Sequence, residues 1–190
     1  RTGLAKGMVT GLKREASFFA ELLVGNVSKK LVQLFFATTA IKKTSSLSGG
    51  QAPSNHLDRL GVVGAGFMGS SIAGVAALRA EADVRLRDTE MSQLAKGISN
   101  ARNIINRSLR RRRIDDYEHR RRLALISGTT NDSGFCSRNL VIEAVFEDLG
   151  VKKNVISELE QVVSENCILA SNTSTIPISY LQAGAKCPER

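Results

Sequence analysis

Residues 61–70 read GVVGAGFMGS, and this stretch decides the fold of the chain. It places Gly64, Gly66 and Gly69 in a GxGxxG spacing, directly after the apolar run 60–63 and directly before a run of small residues. Because 16 glycines in 190 residues produce such a spacing by chance, the flanking pattern carries more weight than the glycines alone. An apolar strand, a glycine turn and a helix in this order predict the start of a βαβ unit.

The three glycines have separate tasks if the turn holds a dinucleotide. Gly64 permits the tight turn, Gly66 lets the backbone approach the pyrophosphate, and Gly69 lets the helix pack closely against the strand. The first turn of that helix offers N–H groups and the positive end of its dipole to the phosphates. The alternative is a tight strand–helix turn without any ligand.

Asp88 favours the dinucleotide and, within that class, NAD over NADP. It ends the second predicted strand, 19 residues after Gly69. A carboxylate at that place accepts hydrogen bonds from the adenine ribose and repels a 2′-phosphate. Arg87 complicates this interpretation, because a nearby arginine can bind the phosphate of NADP. Strand alternation puts Arg85 and Arg87 on one side of the strand, where we expect both to be exposed to solvent.

The remaining pattern alternates between strands and helices. Predicted strands cover 60–63, 84–87, 140–144 and 167–170, and predicted helices cover 68–80, 91–113, 116–123 and 151–164. Such alternation predicts a parallel sheet with helices on both faces, which is a Rossmann-type doubly wound α/β fold. We assign residues 58–190 to this domain. Cys167 lies in an apolar run and is expected in the core.

Residues 1–57 are predicted to form a helical connector followed by a flexible linker. Apolar residues recur every three or four positions across 11–43, which indicates helices. The stretch TSSLSGGQAPSNH at 44–56 is rich in serine and glycine, which is typical of flexible linkers. A separate charge-free run of 19 residues, 60–78, is long enough for a membrane span. Five glycines and two serines interrupt that run, so we reject a span.

The net charge of +9 is concentrated in one stretch, because residues 102–122 contain nine arginines and only three acids. Such a cluster attracts phosphate groups, and the alternative is a solvated helix face without a ligand. Nucleic acid is not the expected partner, since Tyr117 is the only aromatic residue of this stretch available for stacking on bases. The three cysteines lack CxxC spacing and nearby histidines, so neither a metal site nor a disulfide framework is predicted.

Four segments resemble the NAD domain of L-3-hydroxyacyl-CoA dehydrogenases: GVVGAGFMGSSIA, RLRD, LVIEAVFEDL and ILASNTSTIPIS. The stretch FFAELLVGNVSKKLVQLFFATTAIKK at 18–43 is similar to the connector between enoyl-CoA hydratase and dehydrogenase in multifunctional α-subunits of fatty-acid oxidation complexes. The stretch RRRLALISGTTNDSGF at 120–135 is similar to the bacterial cytoplasmic type. The resemblance covers essentially the whole chain, and IEAVFED and ASNTS are more specific than the glycine turn.

The resemblance implies NAD-dependent oxidation of L-3-hydroxyacyl-CoA to 3-oxoacyl-CoA in fatty-acid β-oxidation. The cofactor-binding residues that it implies are Gly64, Ala65, Gly66, Phe67, Met68 and Gly69 for the dinucleotide, Asp88 for the adenine ribose, and Glu147 and Lys152 for the nicotinamide side. Asn172 is a further candidate because it stands at the end of its strand, where cofactor contacts are expected in a doubly wound sheet. Ser174 would lie between NAD and the acyl-CoA and hydrogen-bond the substrate oxygen. From the residues alone, Glu143 and Glu147 can equally be solvated strand ends, and Ser174 a helix N-cap ahead of Pro177.

The same resemblance puts the rest of the reaction outside this chain. The general base of the family is a histidine paired with a glutamate beyond the SNTS helix, and the chain ends before that histidine. We therefore expect this chain to bind NAD without turnover. The full protein is expected to carry an upstream enoyl-CoA hydratase (lyase) domain and to assemble with a thiolase β-subunit. Its expected location is the bacterial cytoplasm or, in a eukaryote, the mitochondrial matrix.

CoA binding is where the chain departs from the family pattern. Simpler relatives use a serine and a lysine on the arginine-rich helix, and the aligned positions here are Ala101 and Ser108. Arg107, Arg110 and Arg111 are the candidates for binding the CoA phosphates instead. Two other functions stay open: another NAD(P)-linked hydroxyacid dehydrogenase, and a basic anion-binding module, whose binding would fall steeply with salt.

Overall fold

The computed structural model describes residues 2–43 and 58–188. The chain forms two compact units, Arg1–Ser54 and Asn55–Arg190. The predicted linker at 44–56 lies outside the described residues, so the domain boundary at residue 57 stays a prediction. No helix within the described ranges is long and apolar enough to cross a membrane.

The first unit is helical in its described part. Its helices are α1 (Thr2–Lys6), α2 (Met8–Val24) and α3 (Asn26–Lys43). The apolar periodicity predicted helices across 11–43, and the structure confirms them with a break at Gly25. The N–H of Gly25 turns back to the Leu22 carbonyl oxygen at 3.2 Å, which ends α2. Large apolar side chains stay exposed on α2 and α3, among them Phe18, Phe19, Leu22, Leu31, Phe35 and Phe36.

The second unit contains a five-stranded sheet whose strands are joined by helices, except for β3 and β4, which a loop joins. In chain order its elements are β1 (Arg59–Val63), α4 (Phe67–Val75), a π-helical segment (Ala76–Ala80), β2 (Asp83–Arg87), α5 (Met91–Arg110), α6 (Asp116–Ala124), β3 (Ile126–Thr129), β4 (Leu140–Glu143), α7 (Leu149–Leu159), β5 (Ile168–Ser171) and α8 (Ile178–Gln182). All strands are parallel, in the order β3-β2-β1-β4-β5. The structure therefore confirms the predicted Rossmann-type doubly wound fold.

The strand order changes direction at β1. From β1 the chain moves outward to β2 and β3, and it then returns to β4 on the other side of β1. Val62 of β1 accordingly pairs with Leu86 on one side and with Ile142 on the other. In doubly wound sheets the crevice beyond the carboxyl ends of the strands at such a switch point is where ligands bind.

The core consists of one cluster on each face of the sheet. On one face the fully buried Val62, Val84 and Leu86 pack with small and branched residues of α4 and α5, including Ala73, Ala101 and Ile105. On the other face Val141 packs with Phe135, Leu159 and Cys167, which confirms Cys167 as a core residue. Each large buried side chain contributes about 1.5–3 kcal/mol of hydrophobic stabilisation.

The sequence did not predict strand β3. Its residues ISGT contain a single large apolar residue, Ile126, so no run or alternation is visible. Gly128 has no side chain to add to an apolar pattern, and Ile98 of α5 fills the space beside it. The Ile98 Cδ1 lies 2.5 Å from the place where a Cβ of residue 128 would be. The apolar contribution at this edge of the sheet thus comes from α5, outside the strand itself.

Several helix ends also differ from the predictions. Helix α5 ends at Arg110 instead of residue 113, because Arg112 takes the left-handed conformation with φ 52°. Helix α7 begins at Leu149 instead of residue 151, since the Asp148 carboxylate accepts a hydrogen bond from the Val151 N–H at 2.9 Å and caps the first turn. The predicted helix 68–80 is α4 continued by the π-helical segment.

The expected exposure of the β2 arginines is wrong for Arg87. Its side chain is 11% exposed, and its guanidinium forms ion pairs with Asp132 at 2.5 Å and with Glu158 at 3.1 Å. Arg85 lies on the same face and donates a hydrogen bond to the Ser133 carbonyl oxygen at 3.0 Å. The loop before β4 and helix α7 cover this face, which strand alternation alone does not reveal.

Candidate functional site

The turn between β1 and α4 needs glycine at two positions for structural reasons. Gly64 has φ 101°, and a Cβ there would lie 2.6 Å from the Ala144 carbonyl oxygen. A Cβ on Gly69 would overlap the carbonyl oxygen of Gly64. The turn, β4 and α4 therefore pack backbone against backbone, as the glycine spacing predicted.

Gly66 differs from the other two glycines. It is exposed, and no atom lies within 4 Å of the place where its Cβ would be. Gly66 is also the N-cap of α4 and contributes no side-chain cap. The first N–H groups of a helix have no partner within the helix, so those of α4 lie beside an open space. This arrangement fits a pyrophosphate held against the backbone.

Asp88 is fixed beside this turn. Its Oδ2 accepts a hydrogen bond from the Ala65 N–H at 2.8 Å, and its Oδ1 accepts one from the Glu90 N–H at 3.1 Å. A carboxylate has about four acceptor sites, so two remain for ribose hydroxyls. Arg87 is engaged by acids on the opposite face and therefore brings no cation to Asp88. Phe67 and Met68, which follow the turn, are exposed.

A buried ion pair lies at the end of β4. Glu143 is 2% exposed, and its two carboxylate oxygens are 2.9 and 3.1 Å from the Nζ of Lys152, itself 1% exposed. The carboxylate also accepts hydrogen bonds from the Val145 N–H at 2.7 Å and from the Ser171 hydroxyl at 2.6 Å. The alternative of a solvated strand end is thus wrong for Glu143, and its burial is tolerated because every oxygen has a donor.

Glu147 shares the same ammonium group. Its Oε2 is 3.1 Å from the Nζ of Lys152, and its Oε1 accepts hydrogen bonds from the Thr173 hydroxyl at 2.6 Å and the Ser174 N–H at 3.2 Å. The hydroxyl and N–H of Thr175 donate to the same oxygen. These donors, with the Thr173 hydroxyl first, lower the pKa of Glu147 from 4.5 to about 2.

The hydrogen bonds of Glu147 hold the loop that follows β5. The backbone N–H of Asn172 extends the sheet by donating to the Glu143 carbonyl oxygen at 2.8 Å. Ser174 is exposed beside it. The alternative of Ser174 as a helix N-cap is wrong, because α8 begins only at Ile178 with Pro177 as its N-cap residue.

Sequence reasoning missed the partners that organise this corner. Ser171, Thr173 and Thr175 were not singled out, although each donates a hydroxyl to Glu143 or Glu147. Alternating hydroxyl residues after an apolar strand, facing acids after the neighbouring strand, are the signal that points to such a network. The sequence alone does not pair Glu143 with Lys152, since that contact depends on how α7 folds back onto β4.

The structure brings most of the predicted site residues to one edge of the sheet. The glycine turn follows β1, Asp88 follows β2, Glu147 follows β4, and Asn172 and Ser174 follow β5. Lys152 lies beneath Glu147, with its Nζ buried. Parallel strands put all these carboxyl ends on the same edge.

The arginine candidates lie elsewhere. Arg107 is 16 residues after the start of α5 at Met91, which corresponds to about 24 Å along the helix. Ala101 and Ser108, the positions aligned with the CoA-binding residues of simpler relatives, are buried. A pocket of about 390 Å³ beside Ser108 is lined by residues of α4, α5 and the segments that follow, including Ser71, Arg79, Arg107, Arg111 and Arg113.

Comparison with known families identifies the domain. The model of the family described as "3-hydroxyacyl-CoA dehydrogenase, NAD binding domain" matches residues 59–190. The chain belongs to the 3-hydroxyacyl-CoA dehydrogenase family. The cofactor of this dehydrogenase domain is NAD, in agreement with the open turn at Gly66 and the carboxylate of Asp88.

Solved structures of similar dehydrogenases share the fold. FadB2 of M. tuberculosis is 39% identical with a TM-score of 0.66, and (S)-3-hydroxybutyryl-CoA dehydrogenase PaaH1 of Ralstonia eutropha is 29% identical with a TM-score of 0.66. Each match covers 70% of this chain and 47% of the other. The 3-hydroxybutyryl-CoA dehydrogenase of Escherichia coli K12 is 31% identical with a TM-score of 0.65, over 70% of this chain and 28% of that one. The dehydrogenase domain thus spans about half or less of these relatives.

Proposed function

We propose that this domain binds NAD for the oxidation of L-3-hydroxyacyl-CoA to 3-oxoacyl-CoA in fatty-acid β-oxidation. The observation that carries the proposal is the set of hydrogen bonds between Glu147 and residues 173–175, because they fix the polar groups that follow β4 and β5 at the same edge of the sheet as the glycine turn. Family membership supports the same reaction class. The proposed full protein is multifunctional and also carries an enoyl-CoA hydratase domain.

Each group at the carboxyl edge has a proposed task in that reaction. When bound, NAD accepts the hydride. The N-terminus of α4 would hold the pyrophosphate, Asp88 the adenine ribose, and Glu147 with Lys152 the nicotinamide side. The exposed Ser174 would hydrogen-bond the substrate oxygen. Glu147 does not serve as the general base, since a carboxylate with a pKa of about 2 is a weak proton acceptor at neutral pH.

The cofactor part of the proposal is tested by titrating this chain with NADH and with NADPH. We expect NADH to bind about tenfold more tightly or better, because Asp88 repels a 2′-phosphate. Asp88→Asn keeps an oxygen for the Ala65 N–H and removes the charge, so it should reduce the difference in affinity between NADH and NADPH. Asp116→Asn, in the first turn of α6, is the matched control. Equal affinities for NADH and NADPH in the unmodified chain would contradict the assignment.

The substrate part is tested in the full-length protein. We expect acetoacetyl-CoA to be reduced with NADH, and Ser174→Ala to lower kcat/KM about tenfold or more through the lost hydrogen bond. The expected enoyl-CoA hydratase activity would accompany it. Reduction of free hydroxyacids or oxoacids, without reduction of the CoA thioester, would instead indicate another hydroxyacid dehydrogenase.

The setting of the reaction belongs to the same proposal. We propose assembly with a thiolase β-subunit and a location in the bacterial cytoplasm, or in the mitochondrial matrix if the source is eukaryotic. The similarity of 120–135 to the bacterial cytoplasmic type supports the first location. Copurification of a thiolase with the full-length protein tests the assembly, and its absence at physiological salt would contradict it.

A further inference from the structure

The carboxyl edge of this domain carries an uneven distribution of charge. Glu143, Glu147 and Lys152 form a cluster, called here the carboxylate cluster, with two negative charges and one positive charge. The lysine is 1% exposed and Glu143 is 2% exposed, whereas the Glu147 side chain is 38% exposed. The charge that meets the crevice is therefore the negative charge of Glu147, with the cation buried beneath it.

The strand order tells which half of the cofactor meets this charge. Asp88 follows β2 and is the proposed acid for the adenine ribose, and the glycine turn after β1 fits the pyrophosphate. A dinucleotide lies across the carboxyl ends of the strands at the switch point. The nicotinamide half then lies on the side of β1 opposite to β2, over the ends of β4 and β5. That is where Glu147 and residues 173–175 lie.

The nicotinamide ring changes charge during the reaction. It carries one positive charge in NAD⁺ and none in NADH, so a fixed carboxylate nearby interacts more favourably with the oxidised form. Glu147 is a suitable carboxylate, because the Lys152 ammonium, two threonine hydroxyls and the Ser174 N–H all donate to it and hold it in place. Asp148, the cap of α7, adds a further negative charge at this corner.

We propose that Glu147 makes this site discriminate in favour of the oxidised, positively charged nicotinamide ring. The inference rests on the proposed function, since it needs the dinucleotide in the orientation given by Asp88. It gives Glu147 a role in specificity between two redox states of one cofactor. Such discrimination raises the fraction of the protein that holds NAD⁺ at a given ratio of NAD⁺ to NADH, and it weakens the retention of NADH after the hydride has been transferred.

The test compares two dissociation constants in the same chain. Glu147→Gln keeps the size of the side chain and one oxygen acceptor for the Thr173 hydroxyl and the Ser174 N–H. It removes the charge and puts an amide NH₂ in place of the oxygen that faces the Lys152 ammonium. We expect the ratio Kd(NAD⁺)/Kd(NADH) to rise about three- to tenfold in this variant at pH 7. Glu165→Gln is the matched control, because Glu165 is exposed and precedes β5 at the opposite edge of the sheet.

A second variant separates charge from loop geometry. Thr173→Val removes one hydrogen bond to Glu147 and keeps its charge, so the ratio should stay as in the unmodified chain even if both affinities fall. An unchanged ratio in Glu147→Gln, or an equal rise in Thr173→Val, would overturn the inference and leave the proposed function standing. An unmodified chain that binds neither NAD⁺ nor NADH would overturn both.

Discussion

At the scale of single residues, the ammonium group of Lys152 holds two carboxylates at once, one buried on Glu143 and one exposed on Glu147. Lys152→Met leaves the Glu143 carboxylate buried without its cation, so we expect the free energy of unfolding to fall by about 3–5 kcal/mol. Urea unfolding followed by circular dichroism measures this change. The double variant Lys152→Met/Glu143→Gln should recover most of the loss, and a double variant as unstable as the single one would refute the charge-based cause.

Substitutions at two glycines of the same turn, Gly66 and Gly69, should affect cofactor binding and folding stability separately. A Cβ at Gly66 meets no atom within 4 Å, whereas a Cβ at Gly69 overlaps the Gly64 carbonyl oxygen. Gly66→Ala should therefore retain the melting temperature and weaken NADH binding about tenfold, because the methyl group enters the space of the pyrophosphate. Gly69→Ala should lower the melting temperature instead. If Gly66→Ala binds NADH as well as the unmodified chain does, the pyrophosphate lies elsewhere.

At the scale of elements, the loop after β5 depends on the ionisation of Glu147. The pKa of this carboxyl is lowered from 4.5 to about 2, mainly by the Thr173 hydroxyl. Ionised Glu147 thus stabilises the loop above pH 4.5, and the contribution is lost as the pH falls from 4.5 through 2. In NMR spectra we expect the amide signals of residues 173–175 to shift with a midpoint near pH 2, where Glu147 takes up its proton in the folded chain. Glu147→Gln should abolish the shift, and a midpoint near 4.5 would show that these hydrogen bonds do not persist in solution.

The elements also show what the sequence can and cannot predict. Strands β1 and β4 are predictable because Leu60 and Val141 lie in apolar runs. Strand β1 is buried on both faces, and β4 is buried on one face and half-buried on the other. Strand β3 could not be predicted from its own residues, because Ile98 of α5 fills the space beside Gly128 where an apolar side chain of the strand would lie. The burial of Arg87 is hidden for a similar reason, since its acids come from segments far along the chain. The local sequence pattern predicts an element when that element's own side chains fill the core. It fails when side chains of another element fill the core in their place.

At the scale of the whole molecule, the candidate site is assembled from four strand ends that are far apart in sequence. The glycine turn and Asp88 were predictable because their spacing reflects one continuous βαβ unit. Glu147 and Ser174 could be predicted as site residues only from the family resemblance, because no local spacing relates them. The Thr173–Glu147 hydrogen bond joins residues 26 positions apart, and it exists only because β4 and β5 are adjacent in the sheet.

Arg110 and Arg111 lie at the C-terminal end of α5, whereas α5 begins at Met91, shortly after Asp88 at the carboxyl edge of the sheet, which predicts that cofactor and CoA binding respond to different substitutions. Arg110→Glu/Arg111→Glu should weaken CoA binding to this chain about tenfold or more at low salt, since each arginine is exposed and attracts phosphates. NADH binding should stay unchanged, because Arg110 lies about 28 Å along the helix from Met91. Lys96→Glu/Arg102→Glu makes the same change of charge nearer the start of α5 and is the matched control for CoA. If both double variants lose the same CoA affinity, the effect is general attraction by a basic helix. If Arg110→Glu/Arg111→Glu leaves CoA binding unchanged, these arginines do not belong to the substrate site.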